Sequence, residues 1–293
     1  MHLDPSAAAL GFRLIVLDAV DSTNSAGLAL ARAGDPGNVW IAARQQSAGR
    51  GRRGRAWHSP LGNLYASLLL TDPCAPERAP QLSFVAALAL RDAVSALAPT
   101  LGARLRLKWP NDLLLDGAKL AGILVEGETL ADNRFAAVIG IGVNCAAHPP
   151  ETPYPATDLA AADIEARPDE LFCLLSHTMR LRLAQWAAGA NFAGIRTDWL
   201  AAAARVGEPV FLPTTNDIEG VFAGVDEYGR LLLRGATGVI EAFAAADVHP
   251  LLKGKGRGEA TGKDPSVSLD ASPIPTRPAT LALLSGSGKE EPA

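Results

Sequence analysis

A short basic segment between two apolar runs holds the residues best suited to chemistry in this sequence. It spans residues 46–55, reads QSAGRGRRGR, and is followed by Trp57. Glycines let the backbone approach a ligand closely, and guanidinium groups make two-pronged contacts with carboxylate or phosphate oxygens. Because the segment is one short insert rather than a long low-complexity tail, we predict that it binds a small anion. A flexible exposed loop and an RNA-binding arginine-glycine segment are the alternatives.

The segment 108–112, KWPND, is a second candidate. Pro-Asn-Asp is an ordinary turn signal, and a lone lysine at the end of a strand is usually solvated. A lysine held where a strand meets a turn can instead lie beside a ligand on a rigid platform. Taken by itself, the motif favours the ordinary turn.

Two apolar runs with internal glycines, 119–126 and 139–144, complete the set. The Gly140-Ile141-Gly142 run is similar to part of a dinucleotide-binding fingerprint, but a third glycine at the required place and a following helix are missing. We therefore predict buried strands whose glycines admit the close approach of a side chain or a ligand.

The elements that must position these motifs can be predicted from capping residues and apolar spacing. Asp21-Ser22-Thr23-Asn24 supplies capping side chains, so a helix should start at Ser22 or Thr23. Strands are predicted on both sides of the basic segment, at 39–43 and 64–70, and again at 104–108, 113–115, 120–126 and 135–143. Further helices are predicted at 81–97, 169–187 and 193–204.

The texture of the sequence changes near residue 205, where short apolar runs alternate with glycine turns up to residue 248. This pattern predicts a small antiparallel barrel. Beyond it the chain is dense in Gly, Pro, Ser and Lys, which predicts a disordered tail. We accordingly divide the chain into a large domain at 1–204, a barrel domain at 205–252 and a tail at 253–293.

Composition excludes several other classes of protein. With 27 basic and 31 acidic residues the formal charge is -4, so no basic field covers the molecule. The three cysteines form no Cys-x-x-Cys pair, which argues against a disulfide framework or a cysteine-rich zinc site. The sequence shows neither a signal peptide nor a membrane-spanning apolar stretch, and we expect a cytoplasmic protein.

Taken together, the Asp21-Ser22-Thr23-Asn24 motif and the segments 46–57, 108–112, 119–126 and 139–144 resemble, in order and spacing, the motifs of biotin-protein ligases. The resemblance covers roughly residues 14 to 248. It implies an α+β fold: a catalytic domain similar to class II aminoacyl-tRNA synthetases, with a mixed sheet and flanking helices, plus a C-terminal SH3-like β-barrel. It also implies ATP-dependent conversion of biotin to biotinyl-5'-AMP, with Mg²⁺, and transfer of biotin to a lysine with release of AMP.

The resemblance also implies roles for individual residues. Lys108, Arg50 and Arg52 would be the catalytic cations. The residues expected to bind biotin are Ser22, Thr23, Asn24, Gln46, Gly49, Arg50, Gly51, Arg52, Lys108 and Gly122. Those expected to bind ATP or the adenylate are Arg50, Arg52, Arg53, Arg55, Trp57, Lys108, Asn111 and Asn144. Neither metal ligands nor a base for the acceptor lysine can be named.

The partner implied by the resemblance is a biotin carboxyl carrier protein or the biotin-acceptor domain of a carboxylase. The first motif begins at residue 21, which leaves too little chain for an N-terminal DNA-binding domain, so we expect no direct DNA binding. We expect no membrane contact, and a homodimer through a sheet edge is a family-level expectation. A lipoate-protein ligase is the nearest alternative. A non-catalytic nucleic-acid-binding module is the alternative from another class, and the overall acidity argues against it.

Overall fold

The apolar runs of the first half of the chain assemble into a seven-stranded mixed sheet. The structure, a computed structural model, describes residues 1–152, 154–213, 217–244 and 246–251. The strands of this sheet are β1 Arg13–Val20, β2 Val39–Gln46, β3 Leu64–Thr71, β4 Leu105–Lys108, β5 Asp112–Leu115, β6 Ala118–Thr129 and β7 Phe135–Val143. Their order is β1-β2-β3-β7-β6-β5-β4. Only β1 and β2 pair in parallel among these described strands, and the others pair antiparallel.

Helices cover both faces of the sheet. They are α1 Pro5–Ala9, α2 Thr23–Arg32, α3 Gln81–Leu97, α4 Pro168–Trp186 and α5 Phe192–Ala202. The short α2 packs on one face, against Val39, Ile41 and Val138. The longer α3 and its neighbours α4 and α5 cover the other face and enclose the main core. The sheet is therefore the middle layer of the molecule, with the start of α2 at one side of it.

The start of α2 is fixed by its own sequence. Ser22 is the N-cap, and its hydroxyl accepts a hydrogen bond from the backbone N–H of Ser25. The predicted helix start is confirmed. Gly27 lets the helix lie close to the sheet, since a Cβ there would be 3.0 Å from a methyl group of Val138. Cap and close packing together fix the position of residues 22–24 at the edge of the cleft described below.

A second, antiparallel sheet follows α5. Its strands are β8 Pro209–Leu212, β9 Ile218–Val225, β10 Leu231–Arg234, β11 Ile240–Phe243 and β12 His249–Pro250, in the order β11-β10-β9-β8-β12. Buried residues of this sheet, Phe222 and Leu231 among them, belong to the main core of the molecule. The indole N–H of Trp109 donates a buried hydrogen bond to the carbonyl of Gly229 at 2.9 Å. The C-terminal sheet thus shares a core with the large sheet and its helices.

The sequence predicted most of these elements, and the differences are local. Three helices or strands were not predicted: β1, an edge strand without a fully buried residue, the five-residue α1 and the two-residue β12. β2 extends to Gln46, so Gln46 is the last residue of a strand rather than part of a loop. β6 extends to Thr129, beyond its predicted end at residue 126. The proposed domain limits stay predictions, and the predicted disorder of 253–293 lies outside the described residues. In the part of the chain that the structure describes, no helix is long and apolar enough to cross a membrane.

Candidate active site

A cleft collects almost all of the residues singled out from the sequence. It is bounded by the start of α2, the basic segment, the turn between β4 and β5, the glycines of β6 and β7, and a piece of chain just before β12. The expected site residues that line it are Ser22, Thr23, Asn24, Gln46, Arg50, Gly51, Arg52, Arg55, Trp57, Lys108, Asn111, Gly122 and Asn144. Gly49 and Arg53, which were expected to bind substrate, are not part of its lining.

One end of the cleft is a network of uncharged polar groups. The backbone N–H of Thr23 donates to Gln46 Oε1 at 2.9 Å. The hydroxyl of Ser67 lies 2.7 Å from Thr23 Oγ1 and 2.6 Å from Asn24 Oδ1, and Asn24 Nδ2 donates to Glu126 at 2.7 Å. Because Ser67 is fully buried, these bonds hold both neighbouring side chains in one orientation. Ser67 was missed in the sequence because nothing local distinguishes it from other strand residues.

The glycines of β7 are required by side chains that lie against them. A Cβ at Gly140 would be 2.2 Å from Asn24 Oδ1, and a Cβ at Gly142 would be 2.6 Å from the indole nitrogen of Trp57. Trp57 also covers Gly122, where a Cβ would be 3.0 Å from its ring. The prediction that these glycines admit a side chain at close range is confirmed.

Trp57 lies on the floor of the cleft, over β6 and β7. Its ring centroid is 5.4 Å from Lys119 Nζ, and its indole N–H is buried without a hydrogen-bond partner among the described residues. An unsatisfied buried donor costs free energy, so a ligand that offered an acceptor here would be favoured. The expected role of Trp57 beside adenine stays a prediction.

Replacing Gly142 by alanine is expected to push the Trp57 ring off the floor of the cleft, because the new methyl group would overlap the indole. Overpacking of this kind costs about 1–3 kcal/mol. Acrylamide quenching of tryptophan fluorescence measures the effect, since the other four tryptophans are at most 2% exposed. We expect stronger quenching in Gly142→Ala than in the parent. Gly235→Ala should be quenched like the parent, because the atom nearest to its new methyl group is 3.8 Å away. Equal quenching in both variants would contradict the proposed contact.

The basic segment forms a tight hairpin rather than an irregular loop. The N–H of Gly51 donates to the carbonyl of Arg55 at 2.7 Å, and the N–H of Trp57 donates to the carbonyl of Gly49 at 2.8 Å. Arg53 has a φ of 57° at the tip. A Cβ at Gly49 would be 2.7 Å from the Trp57 carbonyl, so this glycine is needed for the hairpin itself.

The four arginines of the hairpin have different surroundings. Arg50 donates to the Ser25 hydroxyl at 2.9 Å and lies 3.4 Å from Glu126. Arg55 lies 3.2 Å from Asp247. Arg52 faces the cleft and has no ion-pair partner among the described residues, and burial lowers its pKa. Arg52 is therefore the hairpin cation that is most available to an anionic ligand.

Two lysines line the cleft, and only one of them was anticipated. The pKa of Lys108 is lowered by burial, and its Nζ lies 4.6 Å from the centre of the Tyr154 ring. Lys119, which was not singled out, places its Nζ 2.7 Å from Asp112 Oδ1. In the strand register Lys108 is opposite Asp112, and Asp112 is opposite Gly122. Lys119 itself is opposite Leu114, next to a register shift between Leu113 and Leu114, so the row gave no signal for Lys119.

The two asparagines expected to bind ATP both bond to the backbone. Asn111 Nδ2 donates to the carbonyl of Ile123, and Asn144 Nδ2 donates to the carbonyl of Thr157 at 3.0 Å. Neither side-chain oxygen accepts a hydrogen bond from the described residues, and the expected role of both asparagines toward the nucleotide stays a prediction. Within the described residues no group of three or more His, Cys, Asp or Glu side chains could hold a metal ion.

Comparisons with known proteins agree with this geometry. Residues 17–144 match the Biotin/lipoate A/B protein ligase family, and residues 206–249 match the Biotin protein ligase C terminal domain. The chain is 44% identical over 243 residues to the biotin--[acetyl-CoA-carboxylase] ligase of Paracoccus denitrificans, covering 80% of this chain and 98% of the relative. It is 36% identical to the ligase of the same name from Mycobacterium tuberculosis, covering 80% and 89%.

Among solved structures, the biotin protein ligase of Aquifex aeolicus in complex with biotin and ATP superposes with a TM-score of 0.67 at 28% identity, covering 80% of this chain and 97% of that one. Fold and cleft are thus those of the class that joins biotin or lipoate to proteins. The chain belongs to the biotin protein ligase family. The predicted family, fold class and enzyme class are confirmed, whereas the roles of individual site residues stay predictions.

Proposed function

We propose that this enzyme uses ATP to convert biotin to biotinyl-5'-AMP and then transfers the biotinyl group to a lysine of a biotin carboxyl carrier protein or of the acceptor domain of a carboxylase. The observation that carries the proposal is that two groups of polar side chains line one cleft, and we refer to them as its two ends. Thr23, Asn24 and Gln46 form an uncharged polar end, and Arg52 and the two lysines form a cationic end. Such a cleft suits an organic acid with a polar ring, bound next to a polyphosphate.

The polar end would hold the ureido group of biotin. Its donors and acceptors are fixed before a ligand arrives, since Gln46 and Ser67 hold Thr23 and Asn24 in place. Fixed polar groups discriminate strongly against ligands that leave them unpaired. Lipoate has no ureido group, so this network favours biotin over lipoate.

The cationic end would promote the first reaction. The carboxylate oxygen of biotin attacks the α-phosphorus of ATP, and the bond from that phosphorus to pyrophosphate breaks. The approach joins two anions, so fixed cations that bind more strongly as charge develops lower the barrier. At ~4 Å and an effective dielectric of about 20, one such contact contributes roughly 4 kcal/mol before desolvation. Arg52, Lys108 and Lys119 would take this role because they line the cleft, and Arg50 would join them by leaving Glu126.

Magnesium belongs to the proposal as well. Mg²⁺ commonly binds one or two carboxylates together with substrate phosphates, and it would neutralise the charge of the leaving pyrophosphate. Asp112 fits this need, because it lines the cleft beside both lysines and its carboxylate has Lys119 on one oxygen.

In the second reaction the acceptor lysine attacks the carbonyl carbon of the mixed anhydride, and the bond from that carbon to the AMP oxygen breaks. The acceptor lysine must lose a proton, although its reference pKa is about 10.4. The hairpin and Trp57 would cover the adenylate until the acceptor arrives and keep water from hydrolysing it.

The deciding experiment is biotin-dependent exchange of labelled pyrophosphate into ATP with magnesium present. We expect exchange with biotin and none with lipoate. Exchange that depends on lipoate, or no exchange with either acid, would reject the proposal. Transfer is then measured with an acceptor domain and with its lysine-to-arginine variant, and only the first should become labelled.

The pH dependence of adenylation should report on Lys108. Because burial lowers the pKa of Lys108 below that of an exposed lysine, the cleft loses this positive charge at a lower pH than 10.5. The rate of pyrophosphate exchange is therefore expected to fall on the alkaline side. In Lys108→Arg the charge persists, and the fall should move to higher pH. An alkaline limb at the same pH in parent and variant would exclude Lys108 as its source.

The remaining parts of the proposal concern partners and location. The names of the relatives support a carboxylase as acceptor. A homodimer would use the β1 edge of the large sheet, because Ala204 already donates a backbone hydrogen bond to Leu107 at the β4 edge, and light scattering tests it. We propose no direct DNA contact, in keeping with the net charge of -4. Three free cysteines fit a cytoplasmic, reducing location.

A further inference from the structure

The piece of chain just before β12 brings one carboxylate of the C-terminal sheet to the cleft. Asp247 Oδ1 lies 3.2 Å from an Arg55 nitrogen, and its Oδ2 lies 3.6 Å from an Arg53 nitrogen. The Asp247 side chain is 19% exposed, and the residue lines the cleft. The C-terminal sheet thus contacts the second half of the arginine hairpin, 192 residues away in sequence.

This carboxylate faces three positive charges. Burial by itself would raise the pKa of Asp247, but Arg55, Arg53 and Arg52 together hold it below its ordinary value. Like charges this close repel each other, and the hairpin that carries them is only a few residues long. Within the described ranges no other carboxylate forms an ion pair with Arg52, Arg53 or Arg55. Asp247 is therefore the counterion that lets these arginines lie together.

A second contact reinforces the same half of the hairpin. Arg55 Nη1 donates to the hydroxyl of Tyr154 at 3.1 Å. The Tyr154 ring lies 4.6 Å from Lys108 Nζ and 5.2 Å from the ring of His249, two residues beyond Asp247. Arg55 is therefore held between the C-terminal sheet and the tyrosine that covers Lys108.

The first half of the hairpin is held by other elements. Arg50 contacts Ser25 of α2 and Glu126 of β6, and neither residue belongs to the C-terminal sheet. Loss of the Asp247 contact should therefore release the Arg53–Arg55 half and leave the Arg50 half in place. Arg50 contacts the start of α2 through Ser25, and Arg55 contacts the tyrosine that covers Lys108, so the two halves lie beside different groups of the cleft lining.

We propose that Asp247 is a positioning residue of the C-terminal sheet that holds the Arg53–Arg55 half of the hairpin over the cleft, so that Arg52 faces the nucleotide. The proposal deepens the proposed function and rests on it for the identity of the nucleotide. Asp247 does not itself bind ATP, since a carboxylate and a polyphosphate repel each other. It acts through Arg53 and Arg55.

The test compares Asp247→Asn with Asp247→Glu and with Glu241→Gln. Glu241 is exposed on β11, so its change removes the same charge from the C-terminal sheet at a place remote from the hairpin. The first measurement needs no substrate: trypsin cleaves after arginine, and its rate of cutting at 50–55 in the ligand-free enzyme reports release of the hairpin. We expect cutting on the order of ten times faster in Asp247→Asn, a change equivalent to ~1.4 kcal/mol in the opening equilibrium. Cutting should be near the parental rate in the other two.

The second measurement is pyrophosphate exchange with ATP and biotin varied separately. Asp247→Asn should raise KM for ATP several-fold, and the Kd of biotin measured without ATP should change by no more than about twofold. Asp247→Glu should bring KM for ATP most of the way back to the parental value. Arg55→Gln should raise KM for ATP as well. In the double variant the two effects should not add, because both remove the same contact. A general loss of folding would instead change biotin binding and the thermal midpoint.

The outcomes separate the two proposals. If Asp247→Asn resists trypsin like Glu241→Gln, or if its effect on KM for ATP adds fully to that of Arg55→Gln, the positioning role is wrong. If the parent enzyme shows no biotin-dependent exchange, the proposed function is wrong, and the trypsin comparison still decides whether Asp247 holds the hairpin.

Discussion

Replacing Arg52 by glycine is expected to turn a selective ligase into one that releases its adenylate and labels lysines indiscriminately. Arg52 faces the cleft, its pKa is lowered by burial, and it has no ion-pair partner among the described residues. In the loaded enzyme its guanidinium would both stabilise the adenylate phosphate and close the hairpin over it. Glycine removes the charge and the side chain, so the adenylate should form more slowly but escape more readily.

Labelling of serum albumin, a protein without an acceptor motif, measures this escape. With biotin, ATP and magnesium present, we expect Arg52→Gly to label albumin on the order of ten times more than the parent, as a loss of ~1.4 kcal/mol in adenylate binding would give. Arg44→Gly is the matched control, because Arg44 is exposed on β2 and is not part of the cleft lining. A variant at position 52 that labelled only the acceptor domain would contradict the proposed role.

Replacing Lys119 by glutamine is expected to slow adenylation by about 10²–10³-fold, the usual cost of removing one electrostatic contact to the charge that develops in a transition state. Lys119 Nζ is 2.7 Å from Asp112, and the lysine is 28% exposed. Glutamine removes the positive charge and leaves Asp112 free to bind Mg²⁺, so the expected loss is that of the lysine charge alone.

Single-turnover formation of biotinyl-5'-AMP is the appropriate measurement, because it isolates the first reaction from transfer and product release. Arg106→Gln removes the same charge from an exposed position on β4 and should leave the rate unchanged. A rate for Lys119→Gln within threefold of the parent would show that Lys108 and Arg52 suffice, and the contribution assigned to Lys119 would be wrong.

The local parts of the fold could be predicted from the sequence. A cap at Ser22 and an apolar face from 81 to 97 each depend on residues close together in the chain, and each was confirmed. The edge strand β1 was not predicted, because half of its residues are exposed and its pattern of burial is irregular. β1 pairs in parallel with β2, and a parallel pair of strands has no local turn motif that would indicate the pairing in the sequence.

The candidate site divides in the same way. The fold brings residues of the predicted motifs together in the cleft. The sequence of the basic segment did not show which of its residues face a ligand. Gly49 maintains the hairpin, and Arg53 turns toward Asp247, since adjacent residues of a hairpin point in different directions. Asp247 itself could not be predicted, because its contact with the hairpin joins distant parts of the chain. Ser67 was missed for the same reason.

The common core of the two sheets determines what can be exchanged between members of this family. Phe84 of α3 lies against the backbone of Gly229, and Trp109 donates to the carbonyl of the same glycine. A C-terminal sheet taken from a relative would have to reproduce these contacts with Phe84 and Trp109, and it would also need a carboxylate at the position of Asp247. The two sheets should therefore be exchanged as one module, with chimaeras joined outside the pair rather than between its members.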